Sequence, residues 1–155
     1  MNYLTKSNKI LETKYPEIGD KNKENSYSAI TNGIEITVWP EFIDSQISAL
    51  GNLFVWAYHV RIDNRSNSAI KLTARHWKIV DEQGNIQEVD GEGVIGEQPT
   101  INPYESYKYS SGVHLSFPSG IMSGNYKMRK ENGEIFTVEI PSFSLDIPNK
   151  KEVIN

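Results

Sequence analysis

The sequence contains no cysteine, only three histidines and no long apolar run, and each lack excludes a class of protein. Without cysteine the chain has no disulfide, no thiolate zinc site and no cysteine nucleophile, which suits the reducing cytoplasm. The chain has 16 basic and 20 acidic side chains, and the basic ones do not cluster into the stripe that is typical of nucleic-acid-binding proteins. No stretch approaches the ~20 apolar residues that cross a bilayer, and residues 1–8 lack the apolar core of a secretory signal. We therefore expect a cytoplasmic protein with no nucleic-acid or membrane partner.

The 155 residues fit one domain with an extension at each end. Residues 1–32 are rich in Asn, Lys, Glu and Ser, and their apolar residues are too sparse to define a face. We predict a flexible N-terminal extension there, a β-sandwich domain over residues 33–148 and a C-terminal tail over residues 149–155.

From Gly33 onward, apolar residues recur at every second position, a period typical of strands half-buried against a core. The clearest run is 54–62, which predicts a central strand containing the core residue Trp56. A change of phase after Ala74 predicts a β-bulge near Arg75 and His76. With about seven or eight short strands and no helix between them, the pattern predicts an all-β, immunoglobulin or fibronectin type III-like antiparallel sandwich.

A tyrosine opens one of the later strands in the segment Gly124-Asn125-Tyr126. This spacing is typical of a tyrosine corner, in which the phenol bonds to backbone a few residues upstream. The alternative is that Tyr126 is a packed aromatic side chain of the core.

The segment 91–96 matches the G-x-G-x-x-G pattern of dinucleotide-binding loops. That motif requires a helix directly after it, and Pro99 and Pro103 prevent one. Two readings stay open. Gly91, Gly93 and Gly96 provide positive φ angles for an irregular crossover, or their amides form a nest that binds phosphate or pyrophosphate.

Five segments together resemble the ApaG family, in the family's order and spacing from about residue 34 to 148. They are Arg75-His76-Trp77, Gly91-Glu92-Gly93-Val94-Ile95-Gly96-Glu97-Gln98-Pro99, Tyr109-Ser110-Ser111-Gly112, Gly124-Asn125-Tyr126-Lys127-Met128 and Ile140-Pro141-Ser142-Phe143-Ser144-Leu145. One departure is Pro103-Tyr104-Glu105, where the family usually has Pro-Gly-Glu. The resemblance implies a fibronectin type III-like fold, an association with cobalt and magnesium resistance, and use as a protein-binding module.

No catalytic constellation is evident in the sequence, so we expect a protein that is not an enzyme and that needs no cofactor. His59, His76 and His114 lack the spacing of metal ligands, so we predict no metal site. No serine lies in a Gly-x-Ser-x-Gly elbow. The least favoured alternative is a metal-dependent phosphohydrolase.

We expect a non-catalytic module that binds another protein. Predicted interface residues are Trp39, Arg75, Trp77 and Tyr104, because exposed aromatic side chains beside an arginine are typical of binding hot spots. For Trp77, core packing is the default expectation. A phosphate-containing small ligand at Gly91–Gly96 is the second functional hypothesis, and a homodimer formed through a sheet edge also stays open.

Overall fold

The structure is a computed structural model that describes residues 25–148 and the backbone of a short strand at residues 5–8. Its strands are β1 (Thr5–Asn8), β2 (Tyr27–Thr31), β3 (Ile34–Ser48), β4 (Gly51–Asn64), β5 (Ile70–Asp81), β6 (Ile86–Glu92), β7 (Thr100–Ile101), β8 (Ser106–Leu115), β9 (Gly120–Lys130) and β10 (Ile135–Leu145). One sheet has the order β1-β8-β4-β3-β2 and the other β10-β9-β5-β6, with β7 paired to the start of β5. All pairs are antiparallel.

The predicted all-β sandwich is confirmed. The inner faces of the two sheets bury a single cluster of aliphatic and aromatic side chains, and Trp56 is fully buried in it. The Trp56 indole N–H donates to the carbonyl of Asp146 at 2.9 Å, so its polar atom is satisfied. Within the described residues, no helix is long and apolar enough to span a membrane.

Part of the predicted N-terminal extension belongs to the sandwich. β2 forms a hairpin with β3 through Asn32 and Gly33, whose φ angles are 48° and 80°. Two left-handed residues in succession are what a two-residue hairpin turn requires, and Asn-Gly is its strongest sequence signal. β1 pairs with the outer edge of β8. Residues 9–24 and the tail 149–155 lie outside the described residues.

The predicted bulge is present but lies slightly earlier in the chain. The register of β5 against β9 shifts between Leu72 and Ala74, so Thr73 is the extra residue. The shift changes the phase of the strand, because Leu72 points inward before it and Trp77 and Ile79 point inward after it. The position of the bulge therefore decides that Trp77 enters the core.

The predicted tyrosine corner is wrong. Tyr126 is completely buried, and its hydroxyl bonds to the hydroxyl of Tyr109, which comes from the opposite sheet. The alternative of a packed core aromatic therefore describes Tyr126 correctly. The hydroxyl pair joins the two sheets through a side-chain contact, which no spacing within one strand encodes.

The β3–β4 hairpin continues beyond the rest of its sheet. β2 ends opposite Val38, and β8 ends opposite Phe54. Residues 44–53, which we call the β3–β4 ribbon, are therefore the two-stranded end of the hairpin, and residues 44–52 are all exposed.

Candidate functional site

The glycine-rich segment forms a tight hairpin rather than an open loop. Val94 and Glu97 exchange backbone hydrogen bonds of 2.8 and 2.9 Å across Ile95 and Gly96, whose φ angles are 42° and 78°. Gly93 also has a positive φ, 58°, and its N–H donates to the carbonyl of Thr73 at 2.9 Å. The bulge in β5 thereby supplies the acceptor that holds the hairpin.

Gly91 has an ordinary φ and is required for a different reason. A Cβ on Gly91 would lie 2.8 Å from Cζ of Arg75, because the guanidinium lies directly over this position. One guanidinium nitrogen of Arg75 donates to the carbonyls of Glu92 and Gly93 at 3.0 and 2.9 Å. Arg75 therefore holds the segment through its two backbone carbonyls, and the missing side chain of Gly91 leaves space for the guanidinium.

Three backbone amides of the hairpin already have acceptors. Those of Gly93, Val94 and Glu97 all donate to carbonyls of the protein. An anion-binding nest needs such amides to point at the ligand instead. The geometry thus favours the crossover reading, and phosphate binding by Gly91, Gly93 and Gly96 stays a prediction.

Three buried tyrosines of the core, Tyr58, Tyr109 and Tyr126, interact electrostatically with the half-buried Arg75. Burial raises the pKa of Tyr58, although the hydrogen bond to Ser111 and the charge of Arg75 both oppose the rise. Burial also raises the pKa of Tyr109 and of Tyr126, and here too Arg75 opposes the rise. All three hydroxyls therefore stay protonated at neutral pH and act as neutral hydrogen-bonding groups.

Two of the predicted interface residues are buried: the expected exposure of Trp39 is wrong, and the core packing expected by default for Trp77 is confirmed. Trp77 is 3% exposed and packs edge-on against Tyr58, Tyr126 and Phe143. Its indole nitrogen is the one buried side-chain polar atom, among the described residues, that lacks a hydrogen-bond partner. Trp39 is 5% exposed, and its ring lies 5.3 Å from that of its cross-strand neighbour His59.

The four predicted interface residues do not form one patch. Arg75 is half-buried and holds the glycine segment, whereas Tyr104 is 77% exposed in the loop between β7 and β8. Tyr104 has a φ of 64°, a left-handed conformation that favours glycine. Only Tyr104 therefore presents an aromatic surface to solvent.

A pocket of about 380 Å³ opens beside Tyr104, and we call it the Tyr104 pocket. Its lining consists of Asp63, Asn64, Arg65, Tyr104, Glu105 and Ser106. Most of these residues carry polar or charged side chains at the end of β4 and the start of β8. Sequence reasoning found Tyr104 but missed the pocket, because its two halves are about forty residues apart in the chain.

Asn64 builds the floor of the Tyr104 pocket. Its side chain is 1% exposed, and its amide donates to the carbonyls of Ser68 and Ile101 at 2.8 and 3.0 Å. Its side-chain oxygen accepts from the N–H and the hydroxyl of Ser66 at 3.0 and 2.7 Å. Its backbone carbonyl accepts from the N–H of Tyr104 at 2.6 Å. One buried asparagine therefore fixes both loops around the pocket.

A hydrogen-bonded row that sequence reasoning missed crosses β3, β4 and β8. The two ring nitrogens of His59 lie 2.5 Å from the Ser110 hydroxyl and 2.9 Å from the Glu41 carboxylate. This order resembles a serine, histidine and carboxylate relay. Ser110, however, is 2% exposed in the middle of a paired strand, which leaves no room for a substrate carbonyl at its hydroxyl. The row is a polar network of the sheet that runs from the buried Ser110 to the exposed Glu41.

His76 lies between two carboxylates on the outer face of β5 and β6. Its ring nitrogens are 2.7 Å from Asp90 and 3.4 Å from Glu88. Among the residues that the structure describes, no group of three or more histidine, cysteine or acidic side chains could hold a metal ion.

Comparison with known proteins places these features in a family. The family model described as the ApaG domain matches residues 44–130. The chain is 53% identical over 129 residues to "Protein ApaG" of Methylocella silvestris, a match that covers 83% of this chain and 99% of the relative. The relative from Brucella canis, also "Protein ApaG", is 47% identical with the same coverage.

A solved structure shares the fold of this chain. The crystal structure of the putative ApaA protein of Bordetella pertussis aligns with a TM-score of 0.70 at 38% identity, covering 75% of this chain and 94% of that one. Both the family model and the relatives include the glycine hairpin, Arg75 and the Tyr104 loop within their matched length. The chain therefore belongs to the ApaG family.

Proposed function

We propose that this protein is a non-catalytic binding module that contacts a protein partner through the β3–β4 ribbon. The observation that carries the proposal is the exposure of apolar side chains at the end of the ribbon, where Ile47 is 68% and Leu50 fully exposed. Exposed apolar groups on a projecting element are typical of interaction sites.

The backbone of the ribbon supports the same proposal. Between residues 39 and 48, β3 has no neighbouring strand on its outer edge within the described part of the chain. Native proteins protect such edges with lysine, proline or bulges. Pro40 and the bulge near Asp44 protect the portion next to the sandwich, whereas the ribbon from residue 44 to 53 contains only one charged side chain, that of Asp44. The end of the ribbon is therefore open to strand addition by an extended segment of a partner.

The other expectations about function are proposals of lower rank. The lack of cysteine supports a cytoplasmic location. An association with divalent-cation resistance, which the family resemblance implies, stays a prediction, and so does the lack of catalytic activity. No specific observation favours a phosphate ligand at the glycine hairpin.

The experiment uses purified full-length chain to recover a partner from native lysate, followed by titration of the recovered protein against the chain. We expect saturable binding that Ile47→Asp and Leu50→Asp each weaken about tenfold or more, because a charge replaces a buried apolar contact. Ile135→Asp is the matched control, since Ile135 is 63% exposed on β10, outside the ribbon. A partner that binds both ribbon variants as tightly as wild type would contradict the proposal, and so would the absence of any saturable partner.

A further inference from the structure

We propose that the outer edge of β6 binds a basic, extended segment of a protein partner, which adds to the sheet as an antiparallel strand. In the described part of the chain β6 pairs only with β5, so its other edge carries no strand. The β3–β4 ribbon lies in the other sheet, so the two surfaces are separate.

The backbone of β6 presents hydrogen-bonding groups to solvent at every second residue. Beyond one end of the strand the carbonyl of Asn85 accepts from Asp81 at 3.1 Å, and beyond the other the N–H of Gly93 donates to a β5 carbonyl at 2.9 Å. In an antiparallel pair, residues whose groups bond across the pair alternate with residues whose groups point away. Because the register is unbroken between these two bonds, the N–H and C=O groups of Glu88 and Asp90 point outward.

β6 lacks the devices by which native proteins usually block an edge strand. It contains neither lysine nor proline, and its register against β5 has no bulge. Six of its seven residues are exposed, and Gly91 is the exception. The edge is therefore regular and accessible over the whole length of the strand.

The charge of β6 and of the turn before it favours a basic partner. Residues 81–92 contain five acidic side chains and no lysine or arginine. Glu88, Asp90 and Glu92 lie on the outer face of β6, because alternate residues of a strand share a face. A strand with lysine or arginine opposite these positions would form cross-strand pairs of opposite charge, which stabilise neighbouring strands.

Two groups of β5 neutralise this acidic face only in part. The ring nitrogens of His76 are 2.7 Å from Asp90 and 3.4 Å from Glu88, and Lys78 is the register partner of Glu88. Even with His76 protonated, two cations stand against three carboxylates, the third being that of Glu92. The side chains of Glu88 and Asp90 are also 58% and 76% exposed, so each can accept further bonds from a cation on the solvent side.

The same charges oppose a second copy of this chain as the occupant. In an antiparallel pair of two β6 strands centred on Val89, Glu88 of each copy would face Asp90 of the other. Like charges directly opposite each other destabilise a strand pair. The edge is therefore closed to itself and open to a strand of opposite charge.

Two exposed apolar side chains complete the pattern that the partner must match. Ile86 is 60% exposed and continues a row of aliphatic side chains across the outer face, formed by Val80 on β5 and Ile121 on β9. Val89 is 38% exposed at the margin of the core, where its register partner is Trp77. The partner strand therefore carries apolar residues opposite Ile86 and Val89, and basic residues opposite the carboxylates.

The test is titration of isotope-labelled full-length protein with the capped peptide Lys-Thr-Lys-Val-Lys-Thr-Ile, followed through backbone amide shifts and amide hydrogen exchange. Paired antiparallel from Glu92 to Ile86, this peptide places its lysines opposite the three carboxylates and its valine opposite Val89. We expect saturable shifts on β6. Exchange of the Glu88 and Asp90 amides should slow about tenfold or more at saturation, because both N–H groups then donate to the peptide.

Three control peptides separate strand addition from a general attraction between charges. An N-methyl group on the lysine opposite Asp90 removes an N–H that would donate to β6, and should weaken binding about tenfold or more. An N-methyl group on the valine removes an N–H that points away, and should change the affinity less than about threefold. The peptide with glutamate in place of each lysine should not bind.

Variants of the protein test the charge and the backbone separately. Glu88→Gln should weaken binding about threefold, as expected for loss of one exposed ionic contact. Glu88→Pro should weaken it about tenfold or more, because it also removes an outward N–H, while the bonds between β6 and β5 stay in place. Glu131→Gln removes an exposed carboxylate from the β9–β10 turn and should retain binding. The N-methylated peptides test the same backbone bonds on the wild-type protein, so the outcome does not depend on the folding of the proline variant.

The ribbon variant Ile47→Asp distinguishes this surface from the one in the proposed function. It should bind the lysine peptide as wild type does, and binding that it abolishes would overturn the assignment to β6. Equal weakening by the two N-methylated lysine peptides, unchanged exchange of the Glu88 and Asp90 amides at saturation, or shifts located elsewhere would each overturn the proposal. Failure of the lysine peptide to bind would overturn it as well, and would leave the ribbon to be judged by its own titration.

Discussion

The guanidinium of Arg75 occupies the space that a side chain at position 91 would need. A Cβ on Gly91 would lie 2.8 Å from the guanidinium carbon, while the same group donates to the carbonyls of Glu92 and Gly93. The two residues face each other across the β5–β6 pair, since Arg75 and Gly91 are register partners. An arginine and a glycine are therefore a matched pair that joins the glycine hairpin to the core.

The first prediction tests this pairing. Gly91→Ala should lower the free energy of unfolding by about 1–2 kcal/mol, because the guanidinium must leave its two carbonyl acceptors. In an Arg75→Ala background the same change should have a much smaller effect, since the guanidinium atoms that lie nearest to the new methyl group are then absent. Chemical denaturation of the four proteins in a double-mutant cycle measures the coupling. Equal effects of Gly91→Ala in both backgrounds would refute the pairing.

The second prediction compares two glycines of the same hairpin. Gly93→Ala should destabilise the protein by about 3 kcal/mol or more, because its Cβ would lie 1.9 Å from the backbone oxygen of Glu97 at a positive φ. Gly96→Ala should lower stability by only about 1–2 kcal/mol, since its φ of 78° is strained for alanine but its surroundings are open. Thermal or urea unfolding of both variants measures the two losses of stability. If the segment were a flexible loop, the two substitutions would have similar effects.

The third prediction concerns the amides of the hairpin. Calorimetric titration of the wild-type protein with pyrophosphate or ATP should give no heat beyond dilution, because the amides of Gly93, Val94 and Glu97 already donate to carbonyls. Gly96→Ala, which leaves that bonding in place, provides the control for any signal that does appear. Saturable heat that Gly93→Ala abolishes and Gly96→Ala retains would restore the hairpin as a phosphate site.

The fourth prediction follows from the buried tyrosine pair. The pKa of Tyr109 and that of Tyr126 are raised, chiefly by burial, so the folded state keeps protons that the unfolded chain loses above about pH 10. Their contribution to stability is complete below that pH and declines as the pH rises further. Urea unfolding between pH 8 and 11.5 should show this decline. The double variant Tyr109→Phe, Tyr126→Phe should lose stability less steeply, and an unchanged slope would contradict the assignment.

Periodicity in the sequence determined the class of this fold. Apolar residues at every second position in 34–42 and 54–62 cannot face a core from any element except a strand, and Trp56 lies where that period places it. The turns at Gly84 and Gly133, with φ angles of 85° and 88°, also follow from local chemistry. The Asn32-Gly33 turn carries the same kind of local signal, and it joins β2 to the domain.

Tertiary structure decided everything that depends on contacts between distant segments. Whether Trp77 is a surface or a core residue depended on the one-residue bulge at Thr73, because a shift by one residue moves a side chain to the other face of a sheet. The hydroxyl partner of Tyr126 came from another sheet, and the Tyr104 pocket arose only when Asn64 joined the loops that follow β4 and β7. Local sequence encodes the period of a strand, whereas the partner of a side chain is set by how the sheets stack.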